Sequence, residues 1–370
     1  MGESHLAKAI RLARAAGRPL IDLTVSNPTA CGFQYDADAI LAPLVNPLAL
    51  AYDPDPRGML SAREAVSSYY VSHNAQVDPD SITLTTSTSE AYGYLFRLLC
   101  NTGDEILVPQ PSYPLFDYLA DLEDVHLRPY PLFYDYGWWI DFARLEGSIS
   151  PRTRAVLLVH PNNPTGHATR QAEQERLEDI CERHGLALIV DEVFLDYLHR
   201  SGQKLESFAN SSHRTLTFVL SGMSKIAALP QMKVGWIASF GPQEELQTAL
   251  ARLEVIADTF LSMNAPAQFA LPAWLSKRHQ IQQQILERIS ANITLIKTSS
   301  LKTFDTDGGW SAILSLPRLG IGAEELLSHE VIVHPGSFYG MAEEGRIVLS
   351  LITPSDDFST GIHRIAKVTK

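Results

Sequence analysis

Three short, predominantly apolar stretches constrain this chain more than any other feature: residues 155–159 (AVLLV), 186–190 (LALIV) and 215–220 (TLTFVL). A strand that is apolar on both sides must be covered on both faces. That is the signature of a parallel sheet inside an α/β domain. The segments between them fit the covering helices. Residues 171–184 place Leu177, Ile180 and Cys181 on one side and end at Gly185, where a helix C-terminus wants glycine. Residues 89–99 bring Ala91, Tyr94, Leu95 and Leu98 to a common face, and a further apolar run follows at 106–108. Residues 234–240 (VGWIASF) read as one more strand.

After about Phe240 the alternation gives way to helical sequence from 244 to 297. The remainder predicts a strand at 310–316, a helix at 323–329 and a strand at 346–352, a compact α+β tail. With 370 residues, the chain is long enough for two cores. The expected organisation is a large domain over 31–286 and a small one built from 1–30 and 287–370, with the N-terminal helix packed on the tail.

Each of the three apolar strands ends in residues that carry chemistry. After 155–159 comes HPNNPTG (160–166), a turn sequence. After 186–190 comes DEVF (191–194), an acid suited to a metal, a ribose or a protonated ring nitrogen. After 215–220 comes SGMSK (221–225), a lysine among small residues. Burial lowers a lysine's pKa and exposes a neutral amine, which forms Schiff bases with aldehydes. Each segment alone is unremarkable, a turn, a cap or a solvated charge. Three together at the C-terminal ends of successive parallel strands point into one crevice, the place where open α/β sheets bind ligands.

In order and spacing, these segments resemble the class I/II aminotransferases, the fold-type I, aspartate aminotransferase-like enzymes that depend on pyridoxal 5'-phosphate (PLP). The resemblance runs through DLTVSNPT (22–29), YDPDPRGMLSAREAV (52–66), TTSTSEA (85–91), VPQPSYP (108–114), HPNNPTG and DEVF. It continues through SGMSK and KVGW (221–236), PGSFYG (335–340) and GRIVLSLITP (345–354). It implies a large domain with a mostly parallel sheet covered by helices and a small α+β domain. The implied activity is transfer of an amino group between an L-amino acid and a 2-oxo acid. A PLP β-lyase acting on carbon–sulfur bonds, and a PLP-binding sensor without catalysis, are the alternatives. Accumulating pyridoxamine marks a transaminase, and released ammonia and pyruvate mark a lyase. The sensor is disfavoured by the charge and by a chain that enters the small-domain helix at once.

The resemblance also assigns roles. Lys225 is the Schiff-base lysine that moves the α-proton, and Asp191 pairs with the ring nitrogen. Asn163 donates to the ring's phenolic oxygen and Tyr113 stacks on the ring. Ser87, Thr88, Ser224 and Lys233 hold the phosphate, the first two at a helix N-terminus. Tyr52 reaches the phosphate of a partner subunit, which implies a homodimer with a shared site. Arg346 grips the substrate carboxylate, and Asn27 closes over it. The chain departs from the family's usual residues at four positions. Phe194 stands for a tyrosine, leaving Asn163 to hold the phenolic oxygen alone. Ser87 stands for a glycine and Lys233 for an arginine. Gly222 stands for a serine, so that Ser221 or Ser224 must serve. Among further cations, Arg57 and Arg128 fall in no recognised motif. The aromatic run Phe133, Tyr134, Tyr136, Trp138 and Trp139 reads as pocket lining or as packing.

Composition excludes other functions. Thirty basic against 42 acidic residues give a net charge of −12, unsuited to nucleic acid or an anionic membrane surface. Cys31, Cys100 and Cys181 form no C-x-x-C pair, and no metal site is expected. The N-terminus lacks a signal-peptide core, reads poorly as a transit peptide, and has leucine at position six of the myristoylation pattern. No apolar run approaches the ~18 residues needed to span a bilayer. A cytoplasmic protein is expected.

Overall fold

A computed structural model describes residues 4–199, 205–210, 212–261, 263–317 and 321–369. The Met1–Gly2 pair of the myristoylation pattern lies outside them. The centre is an eight-stranded sheet in the order Ile82–Thr85, Gly235–Phe240, Thr217–Gly222, Ala187–Asp191, Thr153–Val159, Glu105–Gln110, His126–Tyr134, Trp138–Ile140. Thr217–Gly222, Ala187–Asp191, Thr153–Val159, Glu105–Gln110 and His126–Tyr134 pair in parallel. Gly235–Phe240 runs against both of its neighbours, and Trp138–Ile140 runs against His126–Tyr134. The sheet is therefore mostly, not wholly, parallel.

Side-chain alternation explains why the strands are apolar throughout. Leu107, Val156, Leu158, Leu188, Val190 and Val219 enter one core. Ile106, Val108, Leu157, Val159, Ile189, Phe218 and Leu220 enter the core on the opposite face. The second face is covered in part by the helix Thr88–Leu99, with Ala91, Tyr92, Tyr94, Leu95 and Phe96 buried. Its start is fixed by Ser87, whose Oγ accepts from the Glu90 N–H at 3.1 Å, while Glu90 accepts from the Thr86 N–H at 2.6 Å. The helix Gln171–His184 covers the other face and stops at Gly185, which adopts φ 63°.

A third core collects Leu23, Phe33, Ile285, Ile289, Trp310, Leu314, Ile347, Leu349 and Phe358. It lies beneath an antiparallel sheet ordered Lys302–Thr303, Ser311–Ser315, Arg346–Ser350, His334–Pro335. Ile21–Asp22 pairs in parallel with Val331–Ile332. The N-terminal helix His5–Ala15 is followed by Arg18, whose guanidinium donates to the carbonyls of Leu327 and Ser328. The helical stretch after Phe240 is three helices, Gln243–Phe260, Ala265–Lys277 and His279–Thr298. Among the described residues no helix is long and apolar enough to cross a membrane.

Two local expectations change. The strand expected at 215–220 runs instead over Thr217–Gly222, and Lys225 follows it in the helical turn Met223–Ile226. The strands Ile82–Thr85, His126–Tyr134 and Trp138–Ile140, at and near the two edges of the sheet, were not anticipated.

Candidate active site

The strand ends and the small sheet enclose a cavity of about 510 Å³. Lys225, Asp191, Asn163, Tyr113, Ser87, Thr88, Ser224 and Lys233 all line it. Lys225 is half-buried, with Nζ 5.0 Å from the Trp310 ring centre and 5.8 Å from that of Phe194. Burial lowers its pKa, against the charge of Asp191. Asp191 is the last residue of its strand. Burial raises its carboxyl pKa, opposed by the Tyr92 hydroxyl donating to Oδ2 at 2.7 Å, by the Val193 N–H donating to Oδ1 at 3.0 Å and by Lys225.

The two asparagines after the neighbouring strand divide their work. Asn162 donates to the Pro111 carbonyl at 3.1 Å and to Thr165 Oγ1 at 2.9 Å, so it ties this turn to the loop carrying Tyr113. Asn163 faces the cavity, and its Oδ1 accepts from Ser311 Oγ at 3.2 Å. The Tyr113 ring meets Phe116 edge-on at 6.1 Å.

One end of the cavity is lined by groups suited to an anion. Ser87, Thr88 and Ser89 open the helix Thr88–Leu99, whose amides and dipole favour negative charge. Ser224 and Lys233 complete it. Of the two serines left open by Gly222, Ser224 lines the cavity. Ser221 is buried on the other side of the strand, its Oγ 3.4 Å from the Glu192 carbonyl. Gly235 lets the helix start come close, since a Cβ there would lie 2.9 Å from the Ser87 carbonyl carbon and 3.1 Å from the Thr88 nitrogen. An amine of lowered pKa, a buried acid and hydroxyl, amide and ammonium donors in one cavity match an aldehyde, a basic ring nitrogen and a phosphate. The residues present fit PLP.

Three residues are not brought into this cavity. Tyr52 is 81% exposed, and no atom of it lines the site. Asn27 instead caps the turn Pro28–Ala30, its Oδ1 accepting from Thr29 N and Oγ1 at 3.2 and 2.8 Å; Thr24 and Ser26 line the cavity in its stead. Arg346, the expected carboxylate grip, begins the strand Arg346–Ser350 and lays its guanidinium 4.3 Å over the Phe304 ring. Val348, two residues further on, reaches the cavity. Side-chain direction was legible for Arg346, but the distance along the strand was not.

Tyr92, Trp310, Ser311, His334, Phe338, Tyr339 and Val348 were missed as site residues. Phe338 and Tyr339 fall within the PGSFYG motif, so a signal existed for them. Tyr92 is one aromatic among several on a buried helix face, and nothing local ties it to Asp191. Arg57 pairs with Glu254 at 3.6 Å and Arg128 with Glu105 at 3.0 Å, both away from the cavity. The aromatic run packs elsewhere. Trp138 is buried, Tyr134 meets Phe304, Arg170 covers Trp139, and Tyr136 is exposed.

Comparison with known proteins gives the family. The family model "Aminotransferase class I and II" matches residues 50–357. The alanine aminotransferase of Mycobacterium tuberculosis is 28% identical, over 95% of this chain and 86% of its own length. The glutamate-pyruvate aminotransferase of Escherichia coli is 28% identical over 73% of this chain and 66% of its own length. Among solved structures, the alanine aminotransferase of Pyrococcus furiosus superposes with a TM-score of 0.88 at 22% identity, covering 98% of this chain and 95% of that one. Such a likeness speaks for the fold.

Proposed function

This chain belongs to the class I and II aminotransferases and is a PLP-dependent transaminase, and on that premise we propose that Lys225 and Asp191 carry the transfer of an amino group between an amino acid and a 2-oxo acid. The observation that carries the assignment is the meeting of a half-buried Lys225, its pKa lowered, with a buried Asp191 in the cavity that also holds the anion cradle. When bound, PLP supplies an electron sink for negative charge at the substrate's α-carbon. Lys225 Nζ, its basicity reduced by burial, accepts and returns the α-proton. Asp191 keeps a proton on the ring nitrogen, held in place by Tyr92 and the Val193 amide. Asn163 and Tyr113 fix the ring's orientation. Ser87, Thr88, Ser224 and Lys233 anchor the phosphate, and Phe194 contributes no hydroxyl. Lyase chemistry is not favoured, since the curated relatives are named as aminotransferases.

The enzyme acts as a homodimer in this reading. Val45, Leu48, Leu50 and Tyr52 are all strongly exposed, Leu50 at 93%, within one eight-residue run. An apolar run of this kind marks an interface, and Tyr52 within it then serves the partner's site. The three free cysteines suit a reducing, cytoplasmic setting.

The test is spectroscopic. PLP-loaded protein shows a visible band that Lys225→Ala lacks, and the variant loses about 10²–10⁴-fold in rate. One amino acid bleaches the band and a 2-oxo acid restores it. A band unaffected by Lys225→Ala, or bleaching with release of ammonia, sinks the assignment.

A further inference from the structure

Lys225 sits in the four-residue helical turn Met223–Ile226, and so short a helix cannot satisfy its own last carbonyls. Side chains from three other parts of the fold help to do so. Tyr197, in the turn after Ala187–Asp191, donates its hydroxyl to the Lys225 carbonyl at 2.6 Å. Gln282, on the helix His279–Thr298, donates to the Ile226 carbonyl at 2.8 Å. Tyr35 donates to the Ala228 carbonyl at 3.0 Å, where the chain leaves the turn at φ 54°. Tyr197, Gln282 and Tyr35 all lie outside the lining of the cavity.

Tyr197 differs from the other two because it addresses Lys225 twice. Its hydroxyl bonds the backbone, and its ring meets Trp310 edge-on at 5.1 Å, the same ring that Lys225 Nζ approaches to 5.0 Å. Tyr197 is fully buried and is itself held along its backbone. Its amide donates to the Phe194 carbonyl at 2.9 Å, and its carbonyl accepts from the Gly309 amide at 2.8 Å. Gly308 leaves no slack beside it, since a Cβ there would lie 2.7 Å from the Tyr197 carbonyl oxygen. Burial, and next the charge of Asp196, push the phenol's pKa up, so the hydroxyl keeps its proton and donates. The tyrosine thus ties together the chain leaving two neighbouring strands, Ala187–Asp191 with its acid and Thr217–Gly222 with its lysine.

We infer that Tyr197 is a positioning residue for Lys225: its hydroxyl holds the lysine's backbone so that Nζ stands over Trp310, set to bond the aldehyde carbon of PLP. In that step C=N replaces C=O, and the aldehyde oxygen leaves as water with the two protons of the neutral amine. The inference rests on the reading of Lys225 as the Schiff-base lysine and deepens it. The Lys225 carbonyl also accepts from the Ala228 amide at 3.2 Å, so removing the hydroxyl leaves no orphaned acceptor and spares the fold.

Binding of two cofactor forms to the apoprotein tests it. PLP bonds to Lys225 and pyridoxamine 5'-phosphate cannot, while ring and phosphate are common to both. Tyr197→Phe keeps the aromatic ring and loses the hydroxyl. Equilibrium dialysis should show its Kd for PLP raised about 3–10-fold, the scale of one hydrogen bond, with that for pyridoxamine 5'-phosphate within about twofold of wild type. In a Lys225→Ala background the same substitution should change neither Kd. Equal weakening of both forms, or an effect that persists without the lysine, makes Tyr197 a general structural residue and overturns the inference. An unchanged Kd for PLP overturns it too, as does a Tyr197→Phe chain that no longer folds. If the wild type binds both forms alike and shows no visible band, the Schiff base itself fails, and with it the reading on which the inference rests.

Discussion

Tyr92→Phe removes one oxygen from the interior, where the hydroxyl donates to Asp191 Oδ2 at 2.7 Å and both residues are buried. Phenylalanine fills nearly the same space, so the cost is that of a carboxylate left short of a donor, about 1.5–3 kcal/mol for a hydrogen bond to a charged group. Unfolding entropy of about 2.1 cal/mol/K per residue gives about 0.8 kcal/mol/K over 370 residues. The apoprotein should therefore melt about 2–4 °C lower at pH 8. The sign of the pH dependence follows from Asp191. Burial raises its folded pKa, so the folded state holds the proton more tightly than the unfolded chain, and ionisation costs stability above the unfolded value. Tyr92 offsets that cost only while Asp191 is a carboxylate. Scanning calorimetry of wild type and variant between about pH 8 and 4.5 should show the difference shrinking on acidification. An equal difference at every pH, or none at pH 8, would falsify the account of Asp191 as a buried carboxylate held by Tyr92.

Gly235→Ala places a methyl 2.9 Å from the Ser87 carbonyl carbon, which must displace the helix start. The expected cost is about 1–3 kcal/mol, with PLP affinity weakened roughly tenfold or more; equilibrium dialysis giving an unchanged Kd would show that the cradle does not depend on this approach. Burial raises the Glu192 pKa to about 8, opposed by hydrogen bonds from Ser207 Oγ and the Phe208 amide. Its contribution is fully present below the unfolded carboxyl value of about 4.3 and is lost as pH rises to about 8. Glu192→Gln should flatten the stability profile over that window, and denaturant midpoints that fall equally in both proteins would contradict this.

The strands Thr153–Val159 and Ala187–Asp191 were legible because burial on both faces leaves no polar residue to blur the pattern. The strands toward the margins of the sheet were not. In His126–Tyr134 (HLRPYPLFY) the two prolines, Pro129 and Pro131, pair with Glu105–Gln110 on one side and have no strand on the other, since Trp138–Ile140 pairs only with 132–134. Trp138–Ile140 is itself too short to show a period. The cofactor half of the site followed from strand ends, where sequence position fixes spatial position. The substrate half did not, because it is built by the small sheet, whose placement against the large one is a tertiary matter. Arg346 shows the difference: the motif located the strand, while the cavity meets that strand at Val348.

The sheet's alternation has a consequence at the end of Ala187–Asp191. Asp191 follows Ala187 and Ile189 to the face where Tyr92 lies, while Glu192 turns to the face of Leu188 and Val190 and binds Ser207 and Phe208. Adjacent acids thus have unrelated occupations, one addressing the ligand and the other fastening a loop. The strand works as a ruler with two-residue graduations. Deleting a single residue between 187 and 190 would keep every acid in the chain yet exchange their addresses, aiming Glu192 at Tyr92 and Asp191 at the loop. For this protein, length along that strand is as much a part of the active site as the side chains it carries.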